Sequence, residues 1–206
     1  MAHAYHAVPR RMARVLPNAR LVYVVRDPIA RMQSMYRHQI SAGRERRPPE
    51  VALLDDHYVG PSLYGFQLAA FLEHFDRRQL LVVASEVLRE RPRDALRQVF
   101  LHLGVLPDAI DLDHKYRDHR SLDKPVPRLH GIGWLPRRRF TPHPRSRPDR
   151  RTGLYRTVTT RPARTEDAAI SNRLRSQLSE RLAPDVRLFE ELVGHTVPSE
   201  WGWSTR

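Results

Sequence analysis

The chain has 206 residues, enough for one domain with a real core or for a domain with an extended tail. It contains no cysteine, which excludes disulfides, thiolate metal sites and cysteine nucleophiles. Thirty-six Lys and Arg against 23 Asp and Glu leave a formal charge of +13, which favours anionic partners: nucleotides, acidic glycans, nucleic acid or acidic membrane.

In chain order, residues 8–16 have helical spacing, with Pro9 placed where a first turn tolerates it. Leu21–Val25 is a short apolar, β-branched run and reads as a strand buried on both faces. Asp27 and Pro28 then form a helix start, with Asp as N-cap and Pro in the first helical position, and the helix runs to about Ser41. Residues 43–60 read as loop, polar from Arg44 to Pro49. A second helix covers about Leu63–Phe75, followed by a second strand at Gln79–Ala84, a short turn at Ser85–Leu88, and a helix opened by Pro92 and ended by Gly104. Alternating strand and helix implies a parallel α/β sheet. Two strands are too few for a sheet that stands alone, so a further strand is expected from elsewhere.

From about 111 to 165 prolines and arginines crowd together without periodicity, which predicts a long loop or linker. Helices are expected at about 166–182 and 184–193, packing on a core formed by residues 1–110. An aromatic tail with Trp201 and Trp203 follows.

In a parallel sheet, ligands bind beyond the carboxyl ends of the strands. Arg26 is the first residue after such a strand, and the next helix brings its N-terminal N–H groups to the same place. Ser34, eight residues after Arg26, adds a hydroxyl two turns into that helix. An Arg fork on a phosphate is a charge-assisted bond worth about 1.5–3 kcal/mol. A structural alternative stays open, in which Arg26 pairs with a carboxylate such as Glu86 and Ser34 is an ordinary helix serine.

The run RDPIARMQSMYRH resembles the 3′-phosphate-binding segment of the PAPS-dependent sulfotransferases. In that family an apolar strand precedes Arg-Asp/Asn-Pro, with Arg and Ser on the next helix. The ordered set Tyr64-Gly65-Phe66-Gln67-Leu68, LLVVASEVL and HLGV is similar to later blocks of the family, and VRLFEELVG with a following Trp is similar to the end of many bacterial members. The resemblance implies that Arg26 and Ser34 grip the 3′-phosphate of PAPS, while Arg31 supports the site. It also implies transfer of the PAPS sulfonate to a hydroxyl or amine of a small-molecule or glycan acceptor.

No glycine precedes Gly43, so the glycine-rich loop that cradles the 5′-phosphosulfate in the family has no counterpart in this sequence. The expected fold is therefore a P-loop-like three-layer α/β/α sulfotransferase fold, N-terminally truncated, with its first strand and phosphosulfate loop missing. The catalytic base is unidentified: His3, His6 and His38 are the nearest imidazoles, and an ordinary exposed helix position explains His38 better than catalysis does. A binding remnant without turnover is the second reading.

His114, His119, His130 and His143 lack metal-ligand spacing, and no metal is expected. Arg137–Arg139 reads as a solvated basic loop. Few aromatics and no recognised module weigh against a nucleic-acid-binding protein. No apolar run reaches the roughly 20 residues of a membrane span, nor does residues 1–14 hold a signal-peptide core, so a cytoplasmic protein is expected.

Overall fold

Leu21–Val25 (β1) and Leu80–Ala84 (β2) pair in parallel in the computed structural model, Leu21 opposite Leu80 and Val25 opposite Ala84. The structure describes residues 2–106, 126–127, 160–161, 169–195, 198 and 201. The remaining helices are α1 (Ala2–Val15), α2 (Pro28–Ser41), α3 (Pro49–Ala52), α4 (Asp56–Val59), α5 (Tyr64–Leu72), α6 (Ser85–Glu90), α7 (Pro92–Leu103) and α8 (Asn172–Val193). Val126–Pro127 and Thr160–Arg161 form a short antiparallel pair, β3 and β4. The rest of 111–165, with its four histidines and Arg137–Arg139, lies outside the described residues, as does Trp203. The chain divides into two compact units: Met1–Arg31, Val59–Tyr116 and Asn172–Arg206 form one, and Met32–Tyr58 with Arg117–Ser171 the other.

In the first unit, Leu21, Tyr23 and Val25 alternate onto one face of β1 and meet Tyr64, Leu68, Val186, Phe189 and Trp201. The sequence predicts burial on both faces, but Val22 and Val24 remain 36% and 51% exposed, because α5 and α8 cover only the other side. The amino ends of the strands are tied by α7, whose His102 Nε2 lies 3.0 Å from the Leu21 carbonyl oxygen and 3.2 Å from that of Gln79. Arg20 donates to the His102 carbonyl oxygen near the end of α7. Gly104 then stops α7 in the left-handed conformation at φ 75°, as its sequence position predicts. The segment expected to turn at Ser85–Leu88 is helical instead, as α6.

Helix α8 departs most from the sequence reading. Two helices are expected, at about 166–182 and 184–193, yet one helix runs from Asn172 to Val193 with Pro184 inside it. Its buried stripe, Leu174, Leu178, Leu182, Val186, Phe189 and Val193, continues across the proline at spacings of three and four. Burying a side chain of this size stabilises by roughly 1.5–3 kcal/mol. Six of them outweigh the roughly 3 kcal/mol that an interior proline costs.

Asp185, one residue on, caps α5 from α8. Its carboxylate accepts from the N–H groups of Gly65 at 2.9 Å and Phe66 at 2.8 Å, where α5's own N-cap residue, Leu63, has no side-chain acceptor. Burial pushes the Asp185 carboxyl above its usual range, against the opposing pull of these N–H donors.

In the second unit, the stretch expected as a polar loop folds around a carboxylate. Glu45 is only 9% exposed. Its oxygens accept from the N–H groups of Arg46 and Arg47, from the Arg47 guanidinium at 2.8 Å and from the Tyr58 hydroxyl at 2.9 Å. Arg47 also bridges to Asp55 at 2.9 Å, and its carbonyl oxygen accepts from the Tyr36 hydroxyl. Hydrogen bonds from Arg47 hold the Glu45 carboxyl down at about 2.

This network predicts an acid limb to stability. A carboxylate whose native pKa is depressed stabilises above its unfolded pKa, and the contribution is lost as pH falls through the native value. Glu45 should therefore lose its contribution between about pH 4.5 and 2. Glu45→Ala should lower stability by about 2 kcal/mol at neutral pH, less than for a fully buried pair because Arg47 is half exposed. It should also flatten that acid limb. Urea unfolding of the full chain at a series of pH values checks both.

Candidate functional site

The carboxyl end of β1 carries the residues singled out by the sequence. Asp27 caps α2 as expected: its Oδ1 accepts from Ile29 N–H at 2.8 Å, and its carbonyl oxygen from Arg31 N–H at 2.9 Å. This capping alters the expected role of the helix end. Pro28 has no N–H and that of Ile29 is already taken, so two of the first-turn positions of α2 offer no N–H to an anion, and side chains carry more of its binding.

Those side chains are arginines. Arg26 is partly buried, and its Nε has no hydrogen-bond partner although it is out of contact with water. Arg31, on the first turn of α2, has Nη1 in the same condition. Buried guanidinium nitrogens are ordinarily satisfied, and an unsatisfied one calls for an explanation. The structural alternative for Arg26 was a pairing with Glu86. Glu86 instead lies with Oε1 3.5 Å from the Asp27 backbone N–H and accepts from the Ser85 hydroxyl at 3.2 Å.

Tyr64 completes the group, and it was not marked as a site residue on sequence grounds. Burial pushes its phenol up to about 12, while the Arg31 and Arg26 charges and the Arg26 backbone N–H pull in the other direction. Tyr64 meets Tyr23 edge-on at 5.9 Å and lies 6.1 Å from Phe189, so its ring is held from two sides. The signal for it was its place at the start of α5, opposite the strand's carboxyl end, and periodicity alone does not convey that.

Ser34 stands in the second turn of α2 and is partly buried. His38 is exposed on the same helix. The side chains of His3 and His6 lie outside the described residues. Among the described residues no cluster of three or more His, Asp and Glu could hold a metal ion. No described helix is long and apolar enough to cross a membrane.

Two guanidiniums with unsatisfied buried nitrogens, beside a buried tyrosine at the end of a parallel strand, suit an oxyanion with several acceptor oxygens. A phosphate fits this donor set.

Comparison with known proteins agrees with this fold. A solved structure described as a sulfotransferase from Alicyclobacillus acidocaldarius superposes with a TM-score of 0.60 over 94% of this chain and 62% of its own, at 19% identity, which is a likeness of fold. Among curated proteins, the bifunctional heparan sulfate N-deacetylase/N-sulfotransferase 3 of Homo sapiens is 31% identical over 124 residues. The corresponding enzyme 1 of Xenopus tropicalis is 29% identical over 113 residues. These matches cover 52% and 47% of this chain but only 14% and 13% of those proteins, so the chain spans about one seventh of their length. The sequence model of the sulfotransferase family matches residues 3–108, and the chain belongs to that family.

Proposed function

We propose that this chain binds PAPS through its 3′-phosphate and serves in transfer of the sulfonate to a hydroxyl or amine acceptor. The observation that carries this reading is the buried, unpartnered Arg26 Nε at the carboxyl end of β1 in a member of the sulfotransferase family. PAPS supplies an activated sulfonate: a bond from sulfur to the acceptor oxygen or nitrogen forms as the bond to the 5′-phosphate oxygen breaks, leaving 3′,5′-ADP. Arg26 positions the nucleotide by a charge-assisted bond, and Arg31 adds donors to the same anion. The Ser34 hydroxyl is the third donor of this proposal. The acceptor's proton goes to a base that the described residues do not identify.

The acceptor class is proposed as a glycan or small molecule, by analogy with the heparan sulfate named for the curated relatives. The charge of +13 suits an anionic glycan.

Incubating the full chain with 35S-labelled PAPS and N-desulfated heparin tests the transfer. The reading expects label in the glycan and an equal amount of 3′,5′-ADP. A folded chain that binds 3′,5′-ADP and transfers no label would overturn transfer and leave nucleotide binding alone. Ser34→Ala is expected to weaken 3′,5′-ADP about 5-fold, the value of one hydroxyl hydrogen bond, and to leave 5′-AMP unchanged in calorimetric titration.

A further inference from the structure

Tyr64, buried beside Arg26 and Arg31, is the first residue of α5, and two elements fix where α5 begins. One is α8. Asp185 Oδ2 accepts from the Gly65 N–H at 2.9 Å and Oδ1 from the Phe66 N–H at 2.8 Å, and the Tyr64 N–H acts on the same carboxylate. One turn further along α8, Phe189 lies 6.1 Å from the Tyr64 ring. Gly65, having no Cβ, lets the two helices meet backbone to backbone between these points.

The other element is β1. Tyr23 meets the Tyr64 ring edge-on at 5.9 Å, and its hydroxyl donates to Gln67 Oε1 at 3.1 Å. Gln67 Nε2 in turn donates to the carbonyl oxygens of Gly60 and Pro61, just ahead of α5. Tyr64 is thus fixed at its main chain and its ring, and its hydroxyl reaches the carboxyl end of β1, where the Arg26 main-chain N–H acts on it. A binding side chain whose backbone is held before the ligand arrives has less to order on binding.

We propose that Asp185 is a positioning residue for nucleotide recognition: its carboxylate holds the start of α5, which sets Tyr64, which in turn sets the main chain at Arg26. This role rests on the reading of Arg26 as a 3′-phosphate ligand, and it gives Asp185 no contact with the nucleotide. The sign of the effect separates positioning from a field effect. Removing a negative charge favours an anion bound nearby, whereas loss of positioning disfavours it.

Calorimetric titration of the full chain with 3′,5′-ADP and 5′-AMP, well below the melting temperature of each variant, tests this. Asp185→Ala should weaken 3′,5′-ADP by about 5-fold and leave 5′-AMP unchanged. Asp185→Asn removes the charge but keeps one acceptor oxygen, and should weaken 3′,5′-ADP by only about 3-fold. Tyr64→Phe, which removes the hydroxyl, should also cost about 5-fold. Combined with Asp185→Ala it should still cost about 5-fold, against about 25-fold for independent residues. A residue that served stability alone would lower Tm and leave these affinities as they were. A folded Asp185→Ala variant that binds 3′,5′-ADP as well as the parent or better, or full additivity with Tyr64→Phe, overturns the role of Asp185. Should Asp185→Ala not fold, Asp185→Asn takes its place, and unchanged or tighter binding overturns the role in the same way. A folded parent chain that shows no preference for 3′,5′-ADP instead overturns the reading of Arg26, and the role of Asp185 with it.

Discussion

Gly65→Ala is expected to destabilise the protein by about 3 kcal/mol or more, although alanine is the better helix former by about 1 kcal/mol. The sign reverses because of what Gly65 touches. A Cβ built there would lie 2.4 Å from the Asp185 carbonyl oxygen and 2.8 Å from the Phe189 nitrogen. Both atoms belong to the backbone of α8, so no side-chain rotation relieves the clash, and the helices must move apart. Separation would also break the hydrogen bonds from Gly65 and Phe66 to the Asp185 carboxylate. For a chain of this length, 3 kcal/mol corresponds to a fall in Tm of about 6–12 °C. Asp185→Ala, which removes the cap and keeps the close approach, should cost about 2 kcal/mol. Calorimetric melting of the three proteins decides the point; a Gly65→Ala variant as stable as the parent would contradict the contact between α5 and α8.

The second large effect concerns Arg26. Arg26→Ala is expected to weaken 3′,5′-ADP by about 30-fold, as for loss of a charge-assisted pair worth roughly 2 kcal/mol. The residue's Nε is already buried and unsatisfied in the free chain, so removing it leaves no native partner stranded. Stability should change little, and affinity should carry the loss. Arg26→Lys keeps the charge without the planar fork and should recover only part of the affinity. If Arg26 were a structural arginine instead, the alanine variant would lose stability and leave 3′,5′-ADP binding as it was.

The part of the fold that positions this site was largely legible because local chemistry specifies it. Five apolar residues, then Arg26, Asp27 and Pro28, encode a strand, a loop and a capped helix within a few positions, and β1 and α2 follow that code. Gly104 ended α7 for the same reason. What the sequence did not convey is set by partners distant in the chain. Asp185 caps a helix that begins 121 positions earlier, at Tyr64, and nothing around Asp185 announces it. Pro184 locally argues for a break, yet the stripe from Leu174 to Val193 keeps α8 whole against its neighbours.

The site divides in the same way. Arg26 was legible from its place after a strand. Tyr64 became visible only once α5 was packed beside β1, and the lack of a partner at Arg26 Nε and Arg31 Nη1 is a property of the fold that spacing does not carry. Glu45 is a further instance: a charged residue in an Arg-rich stretch reads as solvated, and only the approach of Tyr58 and the turn at Arg47 bury it.

The central claim is that this chain recognises a nucleotide by its 3′-phosphate. Calorimetric titration of the purified full chain with 3′,5′-ADP, with 5′-AMP as the control that lacks only that group, addresses it most directly. Saturable binding of 3′,5′-ADP at least about 10-fold tighter than 5′-AMP is expected, with the preference abolished in Arg26→Ala. Equal binding of the two nucleotides, or binding of neither by a folded chain, would contradict it.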